Sequence, residues 1–384
     1  MMRVEKNITM LTAIELLEAL PSVTPERRLR IMNVCGGHER AISQSGLRAL
    51  LDKNIELIPG PGCPVCICPE EDIALAIDLA IEEQVMLLSF GDMLRVPIYR
   101  DDDKPNSLLA AKAWGADVIP IASPLDALKH ALENPHKEVV FFAVGFETTM
   151  APVAALLSED LPDNFSILLS GRLTWPAVSH LLEADDKPFD ALIAPGHVAS
   201  IMGSHEWHFV VENHRLPAAI AGFHVESLLL AIRAILQQHT AGEPTLENCY
   251  REVVKSNGNP CAQTLITEAM DVYDANWRGI GCISNSGLSL KQDLDSINAR
   301  KRFSLPTPPS NYQEGELSQD AACASVVMGR ITPSDCPLYG NTCTPRSPFG
   351  PCMVSDEGAC RIWWSSGVLT GGSVGNAVKD GHSD

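Results

Sequence analysis

Residues 59–68 read Pro-Gly-Pro-Gly-Cys-Pro-Val-Cys-Ile-Cys, and no other stretch of the chain restricts its backbone so tightly. Pro59, Pro61 and Pro64 fix φ and remove amide donors. Gly60 and Gly62 let other backbone approach closely. The segment is therefore neither helix nor regular strand but a stiff turn that presents Cys63, Cys66 and Cys68. Cys63-Pro-Val-Cys66 has the C-x-x-C spacing, which in a cytosolic α/β protein points to redox or metal chemistry. The plainer reading is a Gly/Pro turn whose thiols are simply buried.

The surroundings of this turn predict a parallel sheet. Apolar runs mark strands at 30–35, 55–58, 85–90 and 117–121, alternating with helices at 10–20, 40–51 and 70–83. In such sheets ligands bind beyond the carboxyl ends of the strands. Cys35, the Cys63/Cys66 turn and Asp92 all fall at such ends, so one cleft can gather them. The pattern then starts again, with strands at 138–144, 165–169, 191–194 and 218–221. These run into Gly145-Phe-Glu147-Thr-Thr, Ser170-Gly171, Pro195-Gly-His197 and Gly222-Phe-His224. The expected fold class is α/β, with two similar parallel-sheet α/β domains at 1–135 and 136–225, divided at the Asn134-Pro135 turn. A third unit at 226–384 opens with a helix over 226–238 and becomes irregular and cysteine-rich, an expected C-terminal helical iron–sulfur domain.

Charge and cysteine content narrow the function. A net charge of −19 argues against a nucleic-acid binder or a polybasic membrane surface. No apolar run approaches a spanning helix. The N-terminus lacks a signal-peptide core, which makes the cytoplasm the expected location. In that reducing compartment the 12 cysteines speak for metal or redox work rather than disulfide scaffolding. There is no G-x-S-x-G elbow and no G-x-x-x-x-G-K-[ST] loop, which leaves serine-hydrolase and P-loop readings unsupported.

Cys35-Gly-Gly-His38 puts a thiol and an imidazole, both ligands for late first-row metals, at one strand end. Cys323, Cys336, Cys343, Cys352 and Cys360 are separated by 12, 6, 8 and 7 residues, without the short knuckles of zinc ribbons. Wide spacing on irregular loops suits an iron–sulfur cluster held by four thiolates. Spacing does not choose which four, and a structural zinc site remains the alternative. Glu147 and His197 either face a ligand or cap neighbouring backbone.

Taken together, Cys35-Gly-Gly-His, Pro59-Gly-Pro-Gly-Cys-Pro-Val-Cys66, Gly91-Asp-Met-Leu-Arg-Val-Pro97, Gly145-Phe-Glu-Thr-Thr149, Pro195-Gly-His-Val198 and Met353-Val-Ser-Asp-Glu-Gly-Ala-Cys360 resemble the HypD family of hydrogenase maturation factors. The resemblance implies a scaffold for assembling the Fe(CN)2CO unit of [NiFe]-hydrogenase, without independent turnover. It implies iron held at Cys35, with His38 beside it, and a redox pair at Cys63 and Cys66. It implies a [4Fe-4S] cluster on Cys323, Cys336, Cys343 and Cys360, leaving Cys352 spare. The implied partners are the small chaperone HypC and HypE, which acts with HypF in cyanide delivery. Family members often carry a second histidine where this chain has Arg40. A stand-alone iron–sulfur thiol–disulfide oxidoreductase would also use the Cys63/Cys66 pair and the cluster, but it leaves Cys35-Gly-Gly-His38 without a task.

Overall fold

The computed structural model describes residues 12–22, 28–100, 103–184, 187–305 and 322–368. In chain order its strands are β1 (Leu29–Asn33), β2 (Ile55–Pro59), β3 (Met86–Phe90), β4 (Val118–Ile121), β5 (Val139–Gly145), β6 (Phe165–Arg172), β7 (Ala191–Pro195), β8 (Ala218–Ala221), β9 (Leu246–Asn248), β10 (Met270–Trp277) and β11 (Gly281–Leu290). The eight strands expected from apolar runs all form. Helices intervene between them, among them Gly36–Gln44, Glu70–Glu82 and Val225–Ala241. The Pro-rich stretch at 306–309 and the glycine-rich tail beyond 368 lie outside the described residues.

The strands sort into two sheets. The first has the order β2-β1-β7-β8-β9 and is parallel throughout. The second has the order β10-β11-β6-β5-β3-β4, with β3 to β6 parallel and the β10–β11 hairpin added antiparallel on β6. The architecture is α/β with two largely parallel sheets, as expected, but the sheets do not follow the expected ranges. Residue 135 falls between β4 and β5, which share a sheet, and the first sheet takes β1 and β2 from one side of it and β7 to β9 from the other. Which apolar strands pair is decided by long-range packing that local periodicity does not carry.

The range 226–384 is likewise not one separate body. The helix Val225–Ala241 buries Leu228, Leu229, Ile232 and Leu236 in the same core as Ile31, Ile193 and Ala219 of the first sheet. β9 widens that sheet and β10–β11 widen the other. Cys336, Cys343, Cys352 and Cys360 pack in one apolar cluster with Ile73 and Ile77 of Glu70–Glu82 and with Val140 and Phe142 of β5. No helix among the described residues is long and apolar enough to cross a membrane.

Chain order in the first sheet places the site. From β1 the chain steps outward to β2, whereas β7, β8 and β9 lie on the other side of β1. The direction of winding changes between β1 and β7, and the crevice beyond the carboxyl ends of such a pair is where open α/β sheets bind ligands.

Candidate functional site

Cys35 lies at that crevice, just past β1, in extended conformation at the N-cap of Gly36–Gln44. The thiol turn is tied down beside it. The Gly60 amide donates to Asn33 O (2.9 Å), and the Gly36 amide donates to Gly62 O (3.3 Å). Gly36 and Gly37 are glycine for lack of room. A Cβ on Gly36 would lie 2.6 Å from Glu357 Cβ, and one on Gly37 2.8 Å from the Phe223 ring. Burial pushes the Cys35 thiol up to about 11, partly opposed by the backbone amides of His38 and Gly37, while Glu357 pushes it further up.

His38 is fully buried. Its Nε2 donates to Ala221 O at 3.0 Å, at the carboxyl end of β8, which puts the ring proton on Nε2. Nδ1 is enclosed and has no hydrogen-bond partner among the described residues. The ring stacks on Phe223 at 4.9 Å, and Phe223 stacks on His197 at 3.8 Å. Burial lowers the His38 pKa to about 4, so the imidazole is neutral at physiological pH.

Pro64 opens the short helix Pro64–Ile67, with Cys63 as its N-cap. Cys63 and Cys66 are joined as a disulfide with their Cα atoms 5.3 Å apart. One cavity is lined by Cys35, Cys63, Cys66, Cys352 and Glu357 together. Cys68 points elsewhere, its sulfur 3.6 Å from Ser170 Oγ. Burial pushes the Cys68 thiol up to about 12.

Asp92 joins this site from the second sheet. Its Oδ2 accepts from Ser355 Oγ and from the Asp356 amide, both at 3.0 Å. Arg40 donates to Asp356 O at 2.6 Å. The two side chains pin the 355–357 segment, whose Glu357 lines the cavity with Cys35. Burial raises the Glu357 carboxyl above its ordinary range, with Asp92 adding to it. Three strand-end residues expected to share a cleft are thus brought together, Asp92 through its hold on the loop.

All five C-terminal cysteines line a second cavity, with Val326, Leu338, Tyr339, Phe349 and Met353. They come from Cys323–Val327, Pro351–Val354, Ala359–Ser365 and the loops between. Cys343 Sγ accepts from the Phe349 amide (3.4 Å) and Cys352 Sγ from the Cys360 amide (3.3 Å). Burial pushes Cys323 up to about 12 and raises Cys343. A hydrogen bond from Cys360 lowers Cys352 and raises Cys360. Among the described residues no three His, Cys, Asp or Glu side chains converge on a single-ion site. Five thiols set among apolar side chains around one cavity are a donor set of the kind that iron–sulfur clusters take. Cys352 lines both cavities and stands between them.

Of the two residues that could go either way, His197 joins the site through Phe223. Glu147 serves structure: it accepts from Thr174 N (2.6 Å) and Thr174 Oγ1 (2.7 Å), anchoring the helix Thr174–Glu183. The residues that sequence reasoning missed are Glu357, inside the quoted terminal motif but given no task, and Phe223, in the Gly222-Phe-His224 strand end.

A family model, HypD, described as the hydrogenase formation hypA family, matches residues 11–367. The chain is 42% identical over 347 residues to hydrogenase maturation factor HypD of Escherichia coli K12, covering 89% of this chain and 90% of that relative. It is 37% identical over 353 residues to HypD2 of Bradyrhizobium diazoefficiens, covering 89% and 90%. It is 36% identical over 353 residues to HypD of Cupriavidus necator, covering 89% and 91%.

Proposed function

The chain belongs to the HypD family of hydrogenase maturation factors, and on that premise we propose that it is the scaffold on which the Fe(CN)2CO unit of [NiFe]-hydrogenase is assembled. The observation that carries the reading is the single cavity shared by Cys35, Cys63 and Cys66. Cys35 holds the iron being decorated, as thiolate. A thiol held up to about 11 binds its proton tightly, so loading the iron releases a proton that must leave the crevice. Glu357, which lines the cavity with Cys35 and has a raised carboxyl pKa, is a group that can take it. His38 stays neutral, its Nε2–H fixed by Ala221 O, and offers only a lone pair at Nδ1.

The Cys63–Cys66 pair stores two electrons. Its disulfide takes up two electrons and two protons to become the dithiol, and returns them on reoxidation. Cys323, Cys336, Cys343 and Cys360 would ligate a [4Fe-4S] cluster, which when bound supplies one-electron chemistry. HypC would engage the Cys35 crevice, and HypE with HypF would bring cyanide to that complex in the cytoplasm. The rival, a stand-alone thiol–disulfide oxidoreductase, draws on the same disulfide and thiol cavity but gives Cys35 no part.

The test is an infrared spectrum of protein purified without oxygen from cells carrying the whole maturation set, with iron and labile sulfide assayed on the same sample. Cyanide and carbonyl bands together with cluster iron are expected, and Cys35→Ala should lose the bands while keeping the sulfide. A cluster without bands, in the presence of HypC and HypE, would favour the oxidoreductase. Zinc without sulfide would overturn both.

A further inference from the structure

The helix Ala359–Ser365 lines both thiol cavities. Ala359 faces the cavity of Cys35, Cys63 and Cys66, and the next residue, Cys360, faces the other. One turn along, Trp363 is buried and its Nε1 donates to Glu39 Oε1 at 2.6 Å. Glu39 lies on the helix Gly36–Gln44, which starts at Cys35, and it also lines the first cavity.

Glu39 is 2% exposed, and its four side-chain partners all donate. Oε1 also accepts from Ser43 Oγ at 3.2 Å. Oε2 accepts from Arg48 Nη2 at 2.7 Å and from Asn33 Nδ2 at 3.0 Å. Asn33 closes β1, just before Cys35. Arg48 donates from Nε to Leu57 O of β2 at 3.1 Å, and its guanidinium lies 4.8 Å from the Trp363 ring centre. Burial pushes the Glu39 carboxyl up, but the Arg48 charge and the hydrogen bonds from Arg48, Asn33 and Trp363 outweigh it and hold the group below its ordinary value. Only a carboxylate, which accepts at both oxygens and donates at neither, satisfies such a set. The strands that lead to Cys35 and to the thiol turn, and the helix of Cys360, are thus tied to one side chain.

We propose that Glu39 is a positioning residue for electron transfer between the two cavities. By holding Trp363 it fixes the helix of Cys360, and with it the gap to the Cys63–Cys66 pair. The inference rests on the reading of these cavities as cluster site and redox pair. Two electrons crossing the gap one at a time, with two protons from water, break the S–S bond and leave two thiols. Dithionite supplies the electrons in the test. Misplacing reacting groups by about 1 Å costs about a hundredfold in rate.

In Glu39→Gln the amide oxygen keeps the Arg48 and Asn33 bonds and turns Nε2–H2 against the Trp363 N–H. Trp363→Phe removes the same bond from the other side. The full chain, purified without oxygen and assayed for iron and sulfide, is treated with dithionite, and the Cys63 and Cys66 thiols are trapped over time and read by mass spectrometry. The rate in the full chain stripped of iron is subtracted. At unchanged iron content each variant should slow the reaction at least about tenfold. The double variant should be no slower, because both changes act on one bond. A second readout needs no iron. Exchange of the Trp363 indole N–H, followed by NMR in the stripped chain and assigned by its absence from Trp363→Phe, should be at least about tenfold faster in Glu39→Gln. Lower urea midpoints with wild-type rates would make the bond a matter of stability alone and overturn the proposal. Loss of iron in both variants, or unchanged indole exchange, would overturn it as well. A wild type without any iron-dependent rate would instead overturn the reading of cluster and redox pair, and this proposal with it.

Discussion

Gly62 and Cys35 touch backbone to backbone. A Cβ on Gly62 would stand 2.6 Å from the Cα of Cys35 and closer still to its amide nitrogen. The turn that carries the disulfide and the strand end that carries the third thiol are held in register by the lack of one methyl group.

Gly62→Ala is therefore expected to cost about 3 kcal/mol, the upper end for overpacking, because the obstacle is backbone and cannot rotate away. Gly60→Ala should cost less, since its Cβ would meet the Met32 side chain at 2.7 Å and a methionine can shift. Urea unfolding of the two variants under the same conditions measures the difference. Equal costs would remove the argument from contact.

His38 gives a pH signature. Its folded pKa of about 4 lies below the free value of 6.5, so the unfolded chain binds the proton first as pH falls. The stability due to a neutral His38 is complete above about pH 6.5 and is lost progressively down to about pH 4. Between pH 7 and pH 5 the wild type should lose about 2 kcal/mol more than His38→Asn. Unfolding midpoints at the two pH values decide it; parallel losses would mean that protonation of His38 is not resisted.

Cys352 should be dispensable for the cluster and not for communication between the cavities. Cys352→Ser should keep iron and labile sulfide, whereas serine at Cys323, Cys336, Cys343 or Cys360 should lose them. In Cys352→Ser, reduction of Cys63–Cys66 by dithionite-treated protein, followed by thiol trapping and mass spectrometry, should be slowed. Loss of sulfide in Cys352→Ser would make it a ligand instead.

Glu206 is the obvious substitution for stability. Burial raises its carboxyl well above the ordinary value, nearby Glu147 adds to it, and Oε2 has no partner among the described residues. Burial raises Glu147 to about 6. A carboxyl with a raised folded pKa favours the fold at low pH and penalises it once pH passes that value. Glu206→Gln should therefore raise the melting temperature by a few degrees at pH 8, about 1 kcal/mol, and change it little at pH 5. Calorimetry at both values tests this, and a gain confined to pH 5 would reverse the assignment.

Strands buried on both faces announce themselves, which is why β5 to β8 were legible as apolar runs; β1 to β4 are nearly as apolar, although Pro120 of β4 is exposed at the sheet edge. β9 is short and half-exposed at a sheet edge, and β10 reads Met-Asp-Val-Tyr-Asp-Ala-Asn-Trp with four consecutive exposed residues. Nothing in such stretches outweighs a loop reading. Cys35, His38, Cys63, Cys66 and the terminal thiols stood out because their chemistry is rare at that spacing. Glu357 and Phe223 did not, because each acts through contacts with residues near position 36. A carboxylate gains its role at Cys35 only once Asp92 and Arg40 have anchored its loop, and that is a property of the assembled site.

The weaving of the chain through two sheets has a consequence for biogenesis. β1 and β2 leave the ribosome early, but β7, the other partner of β1, begins at Ala191, about 130 residues after Pro59. At about 5–20 residues per second the wait is on the order of 10 s. For that interval Cys35, Cys63 and Cys66 belong to a two-strand fragment that has no neighbour on one side. The three thiols are accessible to any oxidant the nascent chain meets, and they are enclosed only when the second half of the polypeptide returns to cover them.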